Sequence, residues 1–291
     1  MPDGSAQAGV RRVLSWWPAA TMMGASLALL YALRSSPDFR VAPQRAMGLK
    51  GQPGGFRELE SEPAGWFVHL IDISGSTQVG ARRRRKHRSR GSAVDTPYNQ
   101  ALGLVSESVL GLRQLTEALP QRHSVIAITS ASLYQKPLCE ITVPKVNLFT
   151  GGDTASMMAS IARCDSVLRH TRWSLRTDIR GALKLAGLVL DQKPGRVRGI
   201  IVVSDLEETL RPGQEAAVPS LHGECVLLVP LITPAVARTP SLLDKRVESW
   251  RQLALEWGAS RVGVRTVPAF SEGDVVRFFR ECGKQQTASR R

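Results

Sequence analysis

The stretch Trp66–Thr77, WFVHLIDISGST, places three oxygen-bearing side chains directly after an apolar run. Asp72, Ser74 and Ser76 are spaced two residues apart, and Gly75 allows a tight turn between the two serines. A carboxylate and two hydroxyls suit a hard divalent cation such as Mg²⁺, which prefers oxygen ligands and keeps some of its waters. The pattern predicts half of a cation site, whose meaning depends on the strand before it and on partners further along the chain.

This strand and loop resemble the metal-ion-dependent adhesion site of the von Willebrand factor type A (vWA) domain. In that family the first loop supplies Asp, Ser and Ser, a second loop before a helix supplies Thr, and the end of a later strand supplies Asp. The resemblance assigns these last two roles to Thr177, in RTDIRGAL, and to Asp205, in GIIVVSDLEE. It covers roughly residues 62–283. Many members carry Gly after that Asp where this chain has Leu206, so we expect a third loop of different shape.

The resemblance implies a site for Mg²⁺ or Mn²⁺ whose ligands are Asp72, Ser74, Ser76, Thr177 and Asp205. Asp178 would lie behind these ligands and orient a bound water or the serine hydroxyls. A second interpretation remains open at two of these loops. Thr177 and Asp178 stand at a predicted helix start, where either side chain could cap backbone N–H groups, and Asp205 could also be a helix cap.

Apolar strands alternate with amphipathic helices along the rest of the chain. The predicted strands are 66–71, 123–129, 138–143, 198–204, 225–232 and 261–267. The predicted helices are 98–119, 154–168, 241–257 and 272–282, and the stretch 176–190 contains the loop of Thr177 followed by a further helix. This alternation predicts an α/β fold: a doubly wound, mostly parallel, Rossmann-like sheet with helices on both faces. Prolines on both sides mark 138–143 as an edge strand. Ligands of such sheets bind at the carboxyl ends of the strands, where we expect the metal loops to lie.

Residues 13–33, VLSWWPAATMMGASLALLYAL, carry no charge. About 20 apolar residues are enough to cross a bilayer core of about 30 Å. Trp16, Trp17 and Tyr31 lie near the two ends, where interfacial aromatic residues belong. We predict a single membrane anchor here. The alternatives are a cleaved signal peptide, although the residues after Leu30 make a poor cleavage site, and a buried helix.

Basic residues on the two sides of this anchor predict opposite orientations. Arg11 and Arg12 favour a cytoplasmic N-terminus, whereas the residues beyond the anchor pull the other way, namely Arg34, Arg40, Arg45 and Lys50. We expect the N-terminus inside and the globular part outside the cytoplasm. The predicted order is a short segment (1–12), the anchor (13–33), a linker (34–62), the vWA-like domain (63–283) and a basic tail (284–291).

A dense basic run occupies residues 82–90, between the first strand and the first helix. Its seven Lys and Arg residues amount to half of the net charge of +14. Such like charges repel one another, which predicts a solvated insertion. On the rim of the metal loop it could contact an acidic protein, a nucleic-acid backbone or anionic lipid. It contains no aromatic residue, so nucleic acid is not favoured. The basic residues are Arg82, Arg83, Arg84, Arg85, Lys86, Arg88 and Arg90.

The four cysteines include no CxxC pair, which argues against a structural zinc site. Cys139 and Cys164 flank an irregular region and could pair in an oxidising compartment. Four buried or idle thiols are the alternative.

The loop after the first strand favours binding over catalysis. Haloacid-dehalogenase-like enzymes want a second Asp where this chain has Ser74, and a serine hydrolase needs a G-x-S-x-G elbow with an orienting His. His69 is expected to face away from Asp72. The vWA family leaves one metal position open for an acidic residue of a partner. The resemblance therefore implies a binding protein, not an enzyme. The alternatives are electrostatic binding through the basic run and a metal-dependent hydrolase.

Overall fold

The computed structural model describes residues 64–77, 97–113, 120–144, 152–193, 197–267 and 270–288. The predicted anchor, the linker and the basic run at 82–90 lie outside these ranges. Within the described ranges, no helix combines the length and the apolar character that crossing a membrane requires.

Six strands form one mixed sheet in the spatial order β3-β2-β1-β4-β5-β6. The strands are β1 (Gly65–Asp72), β2 (Gln121–Ile128), β3 (Cys139–Val143), β4 (Val197–Ser204), β5 (Cys225–Pro230) and β6 (Arg261–Val264). Among the strands of the described residues, only β3 runs antiparallel to its neighbour, at one edge of the sheet. The predicted mostly parallel sheet and its edge strand are therefore confirmed.

Helices cover both faces of this sheet. They are α1 (Pro97–Arg113), α2 (Gly152–His170), α3 (Ile179–Asp191), α4 (Pro234–Arg238), α5 (Pro240–Glu256) and α6 (Glu272–Ala288). One core lies between the sheet and α1, α2 and α6, and includes Phe67, Ile71 and Phe279. The other lies beneath α3 and α5 and includes Val68, Leu70 and Trp250. Alternate residues of β1 thus enter opposite cores, as the two-residue period of a strand requires.

Helix α5 buries Ala254 beside Trp250, and its Leu255 side chain is 43% exposed. Helix α6 continues past its predicted end, so residues up to Ala288 of the expected tail are helical. The buried Gln286 explains the extension: it accepts from Arg198 N and donates to Arg198 O, both at 3.0 Å. These bonds fasten the last turns of α6 to the start of β4.

Two disulfide bonds connect helices to the sheet. Cys139–Cys164 joins β3 to α2, and Cys225–Cys282 joins β5 to α6. The Cα atoms are 5.6 Å and 6.2 Å apart, within the range that disulfides need. The structure therefore forms the pair that the sequence left open, and adds a second pair.

Candidate metal centre at the carboxyl edge of the sheet

The predicted ligands Asp72 and Asp205 follow neighbouring strands. Asp72 is the last residue of β1, and Asp205 comes directly after β4. After β1 the chain continues to β2 on one side of this pair, and after β4 it continues to β5 on the other side. The two strands therefore form a switch point in the strand order. Ligands of open α/β sheets bind at the carboxyl edge of such a switch point. The strand order therefore brings both buried carboxylates to the edge where this fold binds ligands.

The first loop folds tightly around Asp72. Its Oδ1 atom accepts a hydrogen bond from Ser74 N at 2.8 Å. Ser74 Oγ and Ser76 Oγ lie 2.8 Å apart, and Thr77 Oγ1 donates to Ser74 O at 2.8 Å. Ser74 is buried and Ser76 is partly exposed. The three predicted side chains of this loop are thus held together in one short turn.

Backbone hydrogen bonds tie the second loop to the other two. Gly75 N donates to Ser174 O at 3.0 Å, which pairs the first loop with the segment before α3. Thr209 N donates to Thr177 O at 2.8 Å, which pairs this segment with the loop after β4. Thr177 is buried between these two attachments. The structure therefore joins all three predicted metal loops.

Asp178 caps the start of α3. Its Oδ1 atom accepts from Gly181 N at 2.8 Å, and its Oδ2 atom accepts from Gln214 Nε2 at 3.3 Å. A Cβ atom on Gly181 would collide with the Asp178 carboxylate, so only glycine leaves room for this cap. The capping interpretation applies to Asp178, and its role behind a cation stays a prediction.

The third loop contains an unusual backbone conformation. Leu206 has φ +58°, in the left-handed region that glycine adopts most readily. This is the position where many vWA members carry Gly. The Leu206 side chain is buried, and its carbonyl oxygen accepts from Trp250 Nε1 at 3.0 Å. Packing against α5 thus holds leucine in a conformation that glycine would take without strain.

Two residues that the sequence analysis missed also support the site. Ser204 Oγ donates to Asp72 Oδ2 at 2.6 Å. Arg246, on α5, donates to Asp205 O at 3.2 Å and forms a 2.7 Å ion pair with Glu207. Ser204 could have been noticed as a hydroxyl at the predicted end of β4. Arg246 lies on a helix 41 residues further along the chain than Asp205, and no sequence pattern around it indicates this contact.

The electrostatics of the site favour a cation. Burial, and then repulsion from Asp205, raises the pKa of Asp72 to about 6, against hydrogen bonds from Ser204 and Ser74. Burial also raises the pKa of Asp205, an effect that the Glu207 N–H group and then the nearby Ser76 partly offset. Asp205 Oδ1 accepts from Glu207 N at 3.1 Å, but the buried Oδ2 has no hydrogen-bond partner among the described residues. A divalent cation would relieve the repulsion and satisfy this oxygen.

The type of cation follows from the available ligands. In the described ranges, no three His, Cys, Asp or Glu side chains are gathered as a metal site. The candidate centre instead combines two carboxylates with hydroxyls. Such an oxygen set fits Mg²⁺ or Mn²⁺ better than zinc, which prefers nitrogen and sulfur ligands.

His69 does not reach this centre. It lies on the other face of β1, with Nε2 at 3.0 Å from His123 Nδ1 and Nδ1 at 3.3 Å from Ser108 Oγ of α1. The expectation that His69 faces away from Asp72 is therefore confirmed. The His69 ring contacts His123 and Ser108 instead of the Asp72 carboxylate.

Solved structures of similar fold include vWA domains. The PilB minor pilin from Streptococcus sanguinis is similar over 77% of this chain and 62% of its own, at 14% identity and a TM-score of 0.41. The von Willebrand factor type A protein from Catenulispora acidiphila is similar over 77% of this chain and 43% of its own, at 14% identity and a TM-score of 0.38. The SpRpn10 VWA domain is similar over 73% of this chain and 94% of its own, at 11% identity and a TM-score of 0.35. The chain spans less than two thirds of the pilin. No protein-family profile and no curated protein matches it.

Proposed function

We propose that the chain is a membrane-anchored, vWA-type binding module that recognises a protein partner through Mg²⁺ or Mn²⁺. The observation that carries this proposal is the pair of buried carboxylates at the switch point, one of which has an oxygen without a hydrogen-bond partner among the described residues. The proposed ligands are Asp72, Ser74, Ser76, Thr177 and Asp205.

Only two of these five ligands carry charge, and Ser76 is partly exposed. A cation held in this way keeps waters that a carboxylate from outside can replace. An Asp or Glu side chain of a partner would complete the coordination shell. Binding of this kind depends on the metal and is reversible, and it requires no covalent chemistry from the chain.

The two disulfide bonds support a location outside the cytoplasm. Disulfides persist in oxidising compartments and are rare where thiols are kept reduced. All four cysteines are paired. Together with the apolar stretch 13–33, this supports a single-pass protein whose globular domain lies on the oxidising side of the membrane.

Thermal unfolding of the full-length protein in Mg²⁺ and in EDTA tests the metal site. A cation present at 100 times its Kd should add about 2.7 kcal/mol to the free energy of unfolding. Asp72→Ala should abolish this gain, and Asp244→Ala, at an exposed position of α5, should retain it. The proposal fails if wild-type protein shows no gain at millimolar Mg²⁺ or Mn²⁺, or if Asp72→Ala keeps the gain.

Electrostatic binding through the basic run at 82–90 is the second candidate. Its support is the charge density of that run in the sequence. Such binding would weaken steeply with added salt and would ignore EDTA, whereas metal-bridged binding would show the reverse. Replacing Arg82–Arg85 with serine, compared with Asp72→Ala, separates the two modes.

A hydrolytic function has less support, although one Ser-His-Asp arrangement exists at the opposite edge of the sheet. Ser220 Oγ lies 2.8 Å from His222 Nε2, and His222 Nδ1 lies 3.0 Å from Asp191 Oδ2. The His222 side chain is 63% exposed, and Arg198 lies 3.7 Å from Asp191. A triad open to water lacks the excluded, low-dielectric surroundings that make such groups effective. We assign it the structural task of joining the loop before β5 to α3.

A further inference from the structure

Four of the ten exposed large apolar side chains in the described ranges lie on loops at the carboxyl edge of the sheet. They include the two most exposed ones, Leu175 at 96% and Tyr134 at 86%. Clustered exposure of this kind is typical of interaction surfaces, whereas single exposed residues are common. We call these four residues the apolar rim: Tyr134, Trp173, Leu175 and Ile232.

The local structure presents Leu175 outward beside the candidate metal centre. Its neighbour Ser174 is bridged to Ser74, and Thr177 follows two residues later. Ser174 Oγ donates to Arg176 O at 2.6 Å and closes a turn around Leu175. The leucine therefore stands at the tip of a hydrogen-bonded turn between two attachments of the metal loops, where its side chain contacts water.

The other members of the rim lie on loops at the same edge. Tyr134 ends the short helical turn Ser132–Tyr134 after β2, and Ile232 follows β5. Asp178 N donates to Thr129 O at 2.8 Å, which ties the loop of Tyr134 to the start of α3. Because parallel strands share a carboxyl edge, these loops surround the ends of β1 and β4.

Positive charge accompanies this apolar surface. Four basic residues of the edge loops form no ion pair within the described part of the chain, namely Lys136, Arg172, Arg176 and Arg211. Arg211 reaches across loops and donates to Ser130 Oγ at 2.8 Å. The neighbouring Glu207 and Glu208 are already paired with arginines. The edge thus carries basic groups that an acidic partner would complement.

We infer that the partner is a protein segment in which an acidic residue is flanked by large apolar side chains. The acidic residue would bind the cation, and the apolar residues would pack on Leu175 and Tyr134 of the rim. This inference rests on the proposed metal function and adds the source of its specificity. A cation alone accepts any carboxylate, so discrimination has to come from contacts beside it, and buried apolar anchors are the usual source.

Selection of random peptides on the full-length protein tests this inference. Displayed peptides are bound in Mg²⁺ and eluted with EDTA, with Asp72→Ala protein as the background. We expect enriched peptides to carry Asp or Glu next to Leu, Phe, Tyr, Trp or Met. One enriched peptide, synthesised and labelled, should then bind Leu175→Ser about 10-fold more weakly than wild type, since partial burial of one leucine contributes roughly 1.4 kcal/mol.

Met158→Ser is the matched control. Met158 is 47% exposed but lies on α2, away from the carboxyl edge, so peptide affinity should not change. Both variants should keep the wild-type melting temperature, because each alters an exposed side chain.

The outcomes distinguish this inference from the proposed function. The role of the apolar rim is overturned if the EDTA-eluted peptides carry polar residues next to the Asp or Glu, or if the peptide binds wild type and Leu175→Ser with equal affinity. Either result is still compatible with the metal bridge. If EDTA elutes no peptides above the Asp72→Ala background, both the apolar rim and the proposed metal function are overturned. Peptides that stay bound in EDTA and are released by salt also overturn both and favour the basic run.

Discussion

Ser204 Oγ donates a 2.6 Å hydrogen bond to Asp72 Oδ2 and joins the ends of β4 and β1 at the candidate metal centre. The same hydroxyl oxygen accepts from Leu206 N at 3.0 Å. One fully buried serine therefore positions a predicted metal carboxylate and the start of the third loop together. This dual contact makes Ser204 a positioning residue for the site.

Ser204→Ala is expected to destabilise the protein and to weaken its affinity for Mg²⁺. The change removes a bond to a buried charged group, which costs about 1–3 kcal/mol of the free energy of unfolding. It also removes a contact that lowers the pKa of Asp72, so the carboxylate becomes harder to ionise. Denaturant unfolding in EDTA and a Mg²⁺ titration measure the two effects. Ser160→Ala should change neither, because Ser160 is partly exposed and its hydrogen bonds with described residues lie within α2. Equal behaviour of the two variants would disprove the role of Ser204.

Glycine should be tolerated better than alanine at Leu206. Both changes remove a buried leucine side chain, at a cost of about 2–5 kcal/mol. Alanine also keeps the strain of φ +58°, about 1–2 kcal/mol, which glycine lacks. Glycine loses more chain entropy on folding, about 0.4–1 kcal/mol. We expect Leu206→Gly to be more stable than Leu206→Ala by about 0.5–1 kcal/mol in denaturant unfolding. An alanine variant of equal or greater stability would contradict the strained backbone.

The buried histidine pair should make the protein sensitive to mild acid. Burial lowers the pKa of His69 to about 4, and burial together with repulsion from His69 lowers the pKa of His123 well below its usual value. Below pH 6.5 these two histidines become protonated in the unfolded chain but stay neutral in the folded state. His69 therefore removes stability at about 1.4 kcal/mol per pH unit between pH 6.5 and 4.

Comparison of wild type with His69→Gln measures the loss of His69 together with the smaller lowering of the His123 pKa that this loss causes. Asp72 acts in the opposite direction, because its raised pKa favours the folded state as pH falls below about 6. Both proteins contain Asp72, so the difference between their unfolding free energies cancels its contribution. We expect wild type to lose stability relative to His69→Gln as pH falls from 6.5 to 5. His170→Gln, at an exposed position, serves as the control. A pH-independent difference for His69→Gln would refute the prediction.

Both disulfides should contribute to stability under oxidising conditions. Each closes a loop, of 25 and 57 residues of sequence separation, for which about 2–4 kcal/mol is typical. The double variants Cys139→Ser/Cys164→Ser and Cys225→Ser/Cys282→Ser should each lose that amount in denaturant unfolding. Alkylation of unfolded wild-type protein without reductant should add no mass, and four labels should appear after reduction. Labels on non-reduced protein would show that the pairs do not form.

The candidate first metal loop could be predicted from the sequence because its residues lie close together in the chain. Asp72, Ser74 and Ser76 stand within five positions, after an apolar run whose length marks a buried strand. The prolines that bound β3 likewise marked it as an edge strand. Such features depend on neighbouring residues alone, so they can be predicted before any fold is known.

Contacts between distant segments could not be found in this way. Ser204 lies 132 residues from Asp72, and Arg246 lies 41 residues from Asp205. The bond from Gln286 to the start of β4 extends α6 beyond its amphipathic pattern, across 88 residues. The Cys225–Cys282 pair depends on where α6 crosses β5. Each contact depends on strand order and helix placement, which no local window contains.

By itself, the sequence determined the alternation of strands and helices, the position of the candidate first metal loop and the polar type of its side chains. Only the tertiary structure decided that β1 and β4 are neighbours, that Asp72 and Asp205 lie at the same edge of the sheet, and that Leu206 adopts a left-handed backbone. The physical reason is the range of the interactions. Periodicity and turn chemistry act between adjacent residues, whereas the strand order and the packing of α5 on the third loop depend on the whole chain.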